Sequence, residues 1–357
     1  MPSRRHFILS SLALAAPVRG AVNYPAVVPR RLFFPRDHGA HPDYRTEWWY
    51  LTGWLDAAGG ATLGFQVTFF RTRTEVDPAN PSAFAAKQLI IAHAALADPA
   101  RGTLLHDERI ARTAHGGAGA SEADTAVHLG NWSFERRADG DYRGVLPARG
   151  FSLEFTAHPT QPLLLQGDAG FSRKGPSLAQ ASYYYSQPHL QVRAQLTLDG
   201  QSRVVSGSGW LDHEWSSTIL TADAAGWDWI GMNLDDGSAL TAFQVRRQGA
   251  SDRPLYAYAS LRGAGGVTRT FGPEQVTFLG RSRWTSPRTR ATWPVAQEIR
   301  IADRLFVTRP LVNDQELDSR MTTGAVYWEG ASELFEGERR VGRGYLEMTG
   351  YVAPIRL

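Results

Sequence analysis

The chain has 357 residues, 43% hydrophobic and 20% charged, which excludes a disordered polypeptide and leaves room for two domains. Formal net charge is only +3, Lys87 and Lys174 are the sole lysines, and no basic run is interleaved with aromatics, so no nucleic-acid partner is expected. With no cysteine there is no disulfide, no thiol chemistry and no lipid anchor through cysteine.

The chain opens on a targeting pattern. Arg4-Arg5 and Phe7-Ile8 precede the short apolar run FILSSLALAAPV, too short to span a bilayer. This resembles a twin-arginine export leader over residues 1–21, cleaved after Gly20 or Ala21, and predicts a periplasmic or secreted protein exported already folded. Loss of Arg4, Arg5 and Arg19 would leave a net charge near zero. A basic N-terminus of a cytoplasmic protein is the alternative.

Next comes TEWWYLTGWLDAAGGATLGFQVTFFR (46–71), which places Trp48, Trp49 and Trp54 beside Glu47. It reads as strand, glycine turn and strand, and it recurs as WDWIGMNLDDGSALTAFQV (227–245). Trp48 pairs with Trp227, Leu55 with Leu234, Asp56 with Asp235 and, after a one-residue gap, Gly59 with Gly237 and Ala61 with Ala239; Phe65-Gln66-Val67 then matches Phe243-Gln244-Val245. A second pair of segments, GSGWLD (207–212) and GRGYLE (342–347), closes the two halves. Two related units follow, 24–217 and 218–357, joined by the linker STILTADAAG (217–226). Period-two strands at 151–158, 189–198 and 254–261, with turns at 138–141, Asp199-Gly200 and Asp236-Gly237, fill the interior. Residues 77–86 and the glycine-rich 115–124 read as excursions from the sheets. No long amphipathic helix is predicted. The expected fold is all-β, two duplicated domains of antiparallel sheet closed into barrels or sandwiches.

Candidate chemistry gathers in GSGWLDHEWSS (207–217). On an extended strand Trp210, Asp212 and Glu214 share one face, and Leu211, His213 and Trp215 share the other. A histidine between two carboxylates and two tryptophans has the parts for proton transfer, because an aromatic wall moves a carboxyl pKa towards neutrality by desolvation. A solvated or arginine-paired strand end is the plain alternative. In the later hairpin Trp227 and Trp229 share a face opposite Asp228; in the first, Trp48, Tyr50 and Trp54 oppose Glu47, Trp49 and Leu51. Tryptophans on both faces of one strand cannot all fill one core, so one face meets the other domain or a ligand. By the symmetry of the duplication, Glu47, Trp49 and Asp228 are expected near a shared cleft. Tyr184, in YYYSQPH (183–189), and Glu329, in VYWEGA (326–331), are further ligand-contact candidates, with plain core packing as the alternative for each. VSGSG (205–209) lacks the first glycine of a nucleophile elbow. His38 and His41 beside Asp37 lack a second ligand cluster, so no metal site is expected. The chain carries no phosphate-binding glycine loop or dinucleotide fingerprint, and no cofactor is expected.

FPRDHGAHPDYRTEWWYLTGWL, GWLDHEWSS, GWDWIGMNLDDGSAL and YWEGA together resemble the AttH-like family of secreted proteins, related to carotenoid 1,2-hydratase (hydroxyneurosporene synthase), over nearly the whole mature chain. The resemblance implies two lipocalin-like β-barrels, a ligand cavity near their junction and a lipophilic, isoprenoid-like small molecule. It also implies alkene chemistry: an acid protonates the double bond, aromatic faces stabilise the cation, and water adds. In that chemistry His213 and Trp215 stand at the spacing implicated in the hydratases, with Asp212 or Asp228 as the acid. Asp212, His213 and Asp228 are therefore the expected catalytic residues; Glu47, Trp49, Glu214, Trp215, Trp227, Trp229, Tyr184 and Glu329 are the expected ligand contacts. The competing functional reading is a periplasmic carrier of a lipophilic compound serving an ABC transporter, and a purely structural envelope protein is the third.

Overall fold

The computed structural model describes residues 22–56, 60, 62–113, 116–249 and 253–355. Residues 1–21, expected to form an export leader, and the turn residues Gly59 and Ala61 lie outside them. The described residues form two antiparallel sheets and carry no helix beyond the 3-10 turns Arg36–His38 and Pro273–Gln275.

The first sheet runs from Thr46 to Thr218. Its centre is Thr46–Asp56, flanked by Thr62–Arg73 on one side and Gln201–Thr218 on the other, with the long strand Ala181–Leu198 beyond. The second sheet repeats this plan: Ala224–Leu234 lies between Ala239–Arg247 and Arg339–Thr349, with Ala325–Glu336 beyond. Both sheets curl until their edges approach, which gives two barrel-like bodies. Segment 77–86 lies off the sheet as expected. The glycine-rich segment is not wholly an excursion, because Ala118–Ala120 adds a short edge strand against Ala126–Leu129; glycine permits an extended backbone there with little side chain to pack.

Period-two alternation decides what each face buries. Inward residues fill each barrel: Trp49, Phe65, Phe69, Phe155 and Leu211 in the first, Met232, Trp293, Trp328 and Leu346 in the second. The outward faces of the duplicated hairpins meet, joining Tyr50, Trp54, Trp210, Trp229, Phe243 and Tyr345 in one junction cluster. Close approach is enforced by small residues: a Cβ added at Gly64 would stand 2.5 Å from Ala331 Cβ. Hydrogen bonds cross the seam from Trp54 Nε1 to Gly344 O (2.9 Å) and from Asn233 Nδ2 to Gly209 O (3.0 Å).

Candidate functional site

Where the outward faces of the two central hairpins diverge they leave a cavity of about 320 Å³ at the junction. Trp48 and Tyr50 from the first hairpin, and Trp227 and Trp229 from its duplicate, line it; residues 219 and 220 of the connection between sheets close part of it. Its wall is mostly apolar, and its polar part includes threonines, Arg45, Lys174 and four carboxyls. The first sheet supplies Asp212 and Glu214, the second Glu329 and Glu347.

Register explains why these groups meet. Asp212 is the ladder partner of Tyr50 on one side and Ser186 on the other; Glu347 is the partner of Trp229 and Glu329. The matched motifs GSGWLD and GRGYLE thus place Asp212 and Glu347 at corresponding points of the two sheets. Asp212 is buried and accepts hydrogen bonds from Tyr184 OH (2.7 Å), Ser186 Oγ (2.5 Å) and Trp210 Nε1 (2.8 Å). Burial pushes its pKa up to about 7, against the pull of those three donors. Tyr184 OH also accepts from Trp229 Nε1 at 3.1 Å, which ties the acid to the opposite sheet. Lys174 Nζ pairs with Glu214 Oε1 at 2.8 Å and lies over the rings of Phe243 (4.3 Å) and Tyr184 (4.5 Å). Burial raises Glu347 to about 8, opposed by Trp227 Nε1 donating at 3.1 Å and helped by the charges of Asp212 and Glu214. Burial, then the neighbouring Glu347, raises Glu329 well above the ordinary range.

Asp212, Glu214, Tyr184, Trp227, Trp229 and Glu329 therefore lie on the cavity wall. The other sequence candidates do not. Strand parity turns His213 and Trp215 away from Asp212, and turns Glu47 and Trp49 away from Trp48. They join a second polar cluster under the N-terminal segment. There Glu47 receives Arg71 Nε (2.8 Å), the His41 backbone N–H (2.8 Å), His41 Nδ1 (2.7 Å) and His213 Nε2 (2.9 Å). His41 Nε2 reaches Asp37 (3.0 Å), which Arg30 grips with two bonds. Tyr185 OH links His213 Nδ1 (3.0 Å) to His38 Nδ1 (2.8 Å), and His41 stacks on Trp215 at 3.7 Å. Burial would raise Glu47, but the charges of His41 and Arg71 and the bonds from His213 and His41 hold it well below the usual carboxylate range. Burial lowers His213 despite Glu47. Donor atoms of His41, Glu47 and His213 lie within 4.8 Å of one another, a metal-like spacing. Those atoms already answer one another, and the Arg71 guanidinium supplies the cation.

Asp228, also expected near the cleft, faces the far side of the second sheet. Its carboxylate is bound by Gln244 Nε2 (2.7 Å), Arg246 and Tyr351 OH (3.0 Å). Sequence reasoning missed Glu347 and Lys174 at the cavity. The duplicated closing motif pointed to the glutamate; nothing local pointed to the lysine.

Fold and site together define a tandem pair of lipocalin-like β-barrels with a carboxyl-lined cavity between them. The chain belongs to the AttH-like family, whose profile matches residues 25–351. The crystal structure of an AttH protein from Nitrosomonas europaea is 52% identical, with a TM-score of 0.87 over 92% of this chain and 99% of that one. Kievitone hydratase from Nectria haematococca shares the fold at 14% identity, with a TM-score of 0.68 over 90% of this chain and 94% of that one. CghA with Sch210972 is a further fold relative at 14% identity, with a TM-score of 0.53 over 87% of this chain and 90% of that one. No curated protein sequence matches the chain.

Proposed function

We propose that the junction cavity binds a lipophilic, isoprenoid-like alkene and adds water to it by acid catalysis. The observation that carries this reading is Asp212, a buried carboxyl on an aromatic cavity wall with its pKa pushed up to about 7. Such an acid holds a proton near neutrality yet can release it. The Asp212 proton moves to one alkene carbon, and the π electrons form the new C–H bond. Positive charge develops on the neighbouring carbon, against the indole faces of Trp48, Trp227 and Trp229. A water oxygen then bonds to that carbon, and its surplus proton returns to the Asp212 carboxylate. Tyr184, Ser186 and Trp210 fix the carboxyl and stabilise the anion between the two transfers. The hydratase name of one fold relative supports the reaction class. Export through the Arg4-Arg5 leader is part of the same proposal, and fractionation of the native host checks it.

Incubation with isoprenoid alkenes in ¹⁸O-labelled water, followed by mass spectrometry, tests the reaction. Hydration incorporates the label, and Asp212→Asn lowers turnover by about 100-fold or more. Recovery of bound alkene unchanged by the native chain contradicts hydration and favours a carrier.

A further inference from the structure

Two glutamates face each other on the cavity wall that the second sheet supplies. Glu329 and Glu347 are direct ladder partners on adjacent strands, and both line the cavity. Side chains so placed stand about 5 Å apart at Cβ, and like charges there repel. In a buried wall little water screens that repulsion. Among the described residues no ion pair reaches either carboxyl. Glu347 has the Trp227 indole N–H as a donor, whereas Glu329, only 3% exposed, has an Oε2 with no hydrogen-bond partner. The hydroxyl of Tyr50, a cavity residue 4% exposed, has none either. The nearby cation Lys174 is committed to Glu214. A fold that needed only to pack this seam would gain from apolar residues at 329 and 347. The pair makes sense when something enters the cavity and answers it.

We propose that the Glu329–Glu347 pair, with the indoles of Trp48 and Trp227, forms a subsite for a lipophilic cation, an ammonium group on an apolar chain. Aromatic faces and a carboxylate both favour positive charge, while a carboxylate or phosphate head placed beside the pair would meet two acids. Without a bound cation the protonated forms are favoured, because burial disfavours ionisation of both, Glu347 repels a charge on Glu329, and Asp212 and Glu214 repel one on Glu347. An entering ammonium stabilises one ionised carboxylate, so binding sends about one proton to solvent. The same subsite would steady a cation formed from an alkene, which makes a lipophilic amine its stable mimic. This rests on the junction cavity being the ligand site.

Isothermal titration of the full chain at pH 7, in two buffers of different ionisation enthalpy, tests it with three probes below their micellar concentrations: dodecyldimethylamine, dodecan-1-ol and dodecanoate. The amine is expected to bind about tenfold tighter than the alcohol, with release of about one proton. The double variant Glu329→Gln/Glu347→Gln loses both the preference and the proton release, with its near-ultraviolet circular dichroism unchanged. Alcohol or dodecanoate binding as tightly as the amine, without proton release, overturns the cation subsite and leaves the cavity a ligand site. Failure of all three probes to bind overturns the cavity reading and the subsite together.

Discussion

The strand Gln201–Thr218 carries two polar clusters on its opposite faces, and they differ in how completely they are satisfied. On one face His213 joins Glu47, His41, Asp37, Arg71 and Tyr185, where donors and acceptors answer one another without a foreign group. On the other, Asp212 and Glu214 open onto a cavity in which Glu329 Oε2 and the Tyr50 hydroxyl have no partner. Buried polar groups without partners cost free energy, and at the cavity wall a ligand can complete them. Orphaned atoms also occur elsewhere, at Gln66, Tyr142 and Trp215 among others, so the junction is marked by unpartnered groups that line a cavity together with raised carboxyls. The histidine cluster, chemically the more suggestive in sequence, is a network whose charged and imidazole groups are paired with one another, only the Trp215 indole N–H among its members being without a partner, and it pins the N-terminal segment to the first barrel.

The sharpest way to break this contrast is to remove the centre of the closed cluster. Glu47→Ala leaves the Arg71 cation and two imidazoles buried without their acceptor, and is expected to cost about 4 kcal/mol of stability by chemical denaturation. A loss below about 1 kcal/mol would mean that the cluster does not hold the fold together. Asp212→Asn should do the reverse: turnover falls by about 100-fold while stability shifts by less than about 1 kcal/mol, since the amide oxygen still accepts from Ser186 and Trp210 and the Tyr184 hydroxyl can turn to accept from the amide N–H.

The two faces should also respond to pH in opposite directions. Asp212 and Glu347 hold protons in the folded chain that the unfolded chain releases near pH 4. Their contribution to stability is complete below that pH and is lost as pH rises through about 7 and about 8. Glu47 and Asp37, held low in the folded chain, contribute fully above about pH 4, and that contribution is lost on acidification. Denaturation across pH should therefore show a fall on each side. Asp212→Asn flattens part of the alkaline limb and leaves the acid limb; a flat alkaline limb in the native chain contradicts the raised carboxyls. The smallest effect concerns the seam itself: Trp54→Phe removes the bond to Gly344 O and should cost about 1 kcal/mol, readable as a shift in unfolding midpoint.

Much of the architecture was legible because period-two patterns and a repeated hairpin are local signals. The duplication of 48–67 in 227–245 corresponds to the central hairpins of the two sheets, and the alternation in 207–217 assigned Asp212 and His213 to opposite faces. Which face of the first hairpin meets the other sheet was not legible. Symmetry pointed to Glu47, Trp49 and Asp228, whereas Trp48, Tyr50 and Trp54 make the seam. Both faces carry large aromatics, so pattern alone gives no sign, and the choice depends on how each sheet curls. The closed cluster was invisible for a related reason. It joins residues 37–47 to Arg71 and His213 through the register of strands distant in sequence, with Arg71 directly opposite Glu47 and His213 diagonal to it, although DHGAHP had already placed His38, His41 and Asp37 together. Glu347 was legible in principle, since GRGYLE matches GSGWLD acid for acid.

The most direct test of the central claim is a crystal structure of the full chain soaked with an isoprenoid alkene. The account predicts density between Trp48 and Trp227, with the double bond near Asp212 and the Glu47–His213 cluster unchanged. Density threaded into either barrel or beside His213, with the junction holding only solvent, would contradict it.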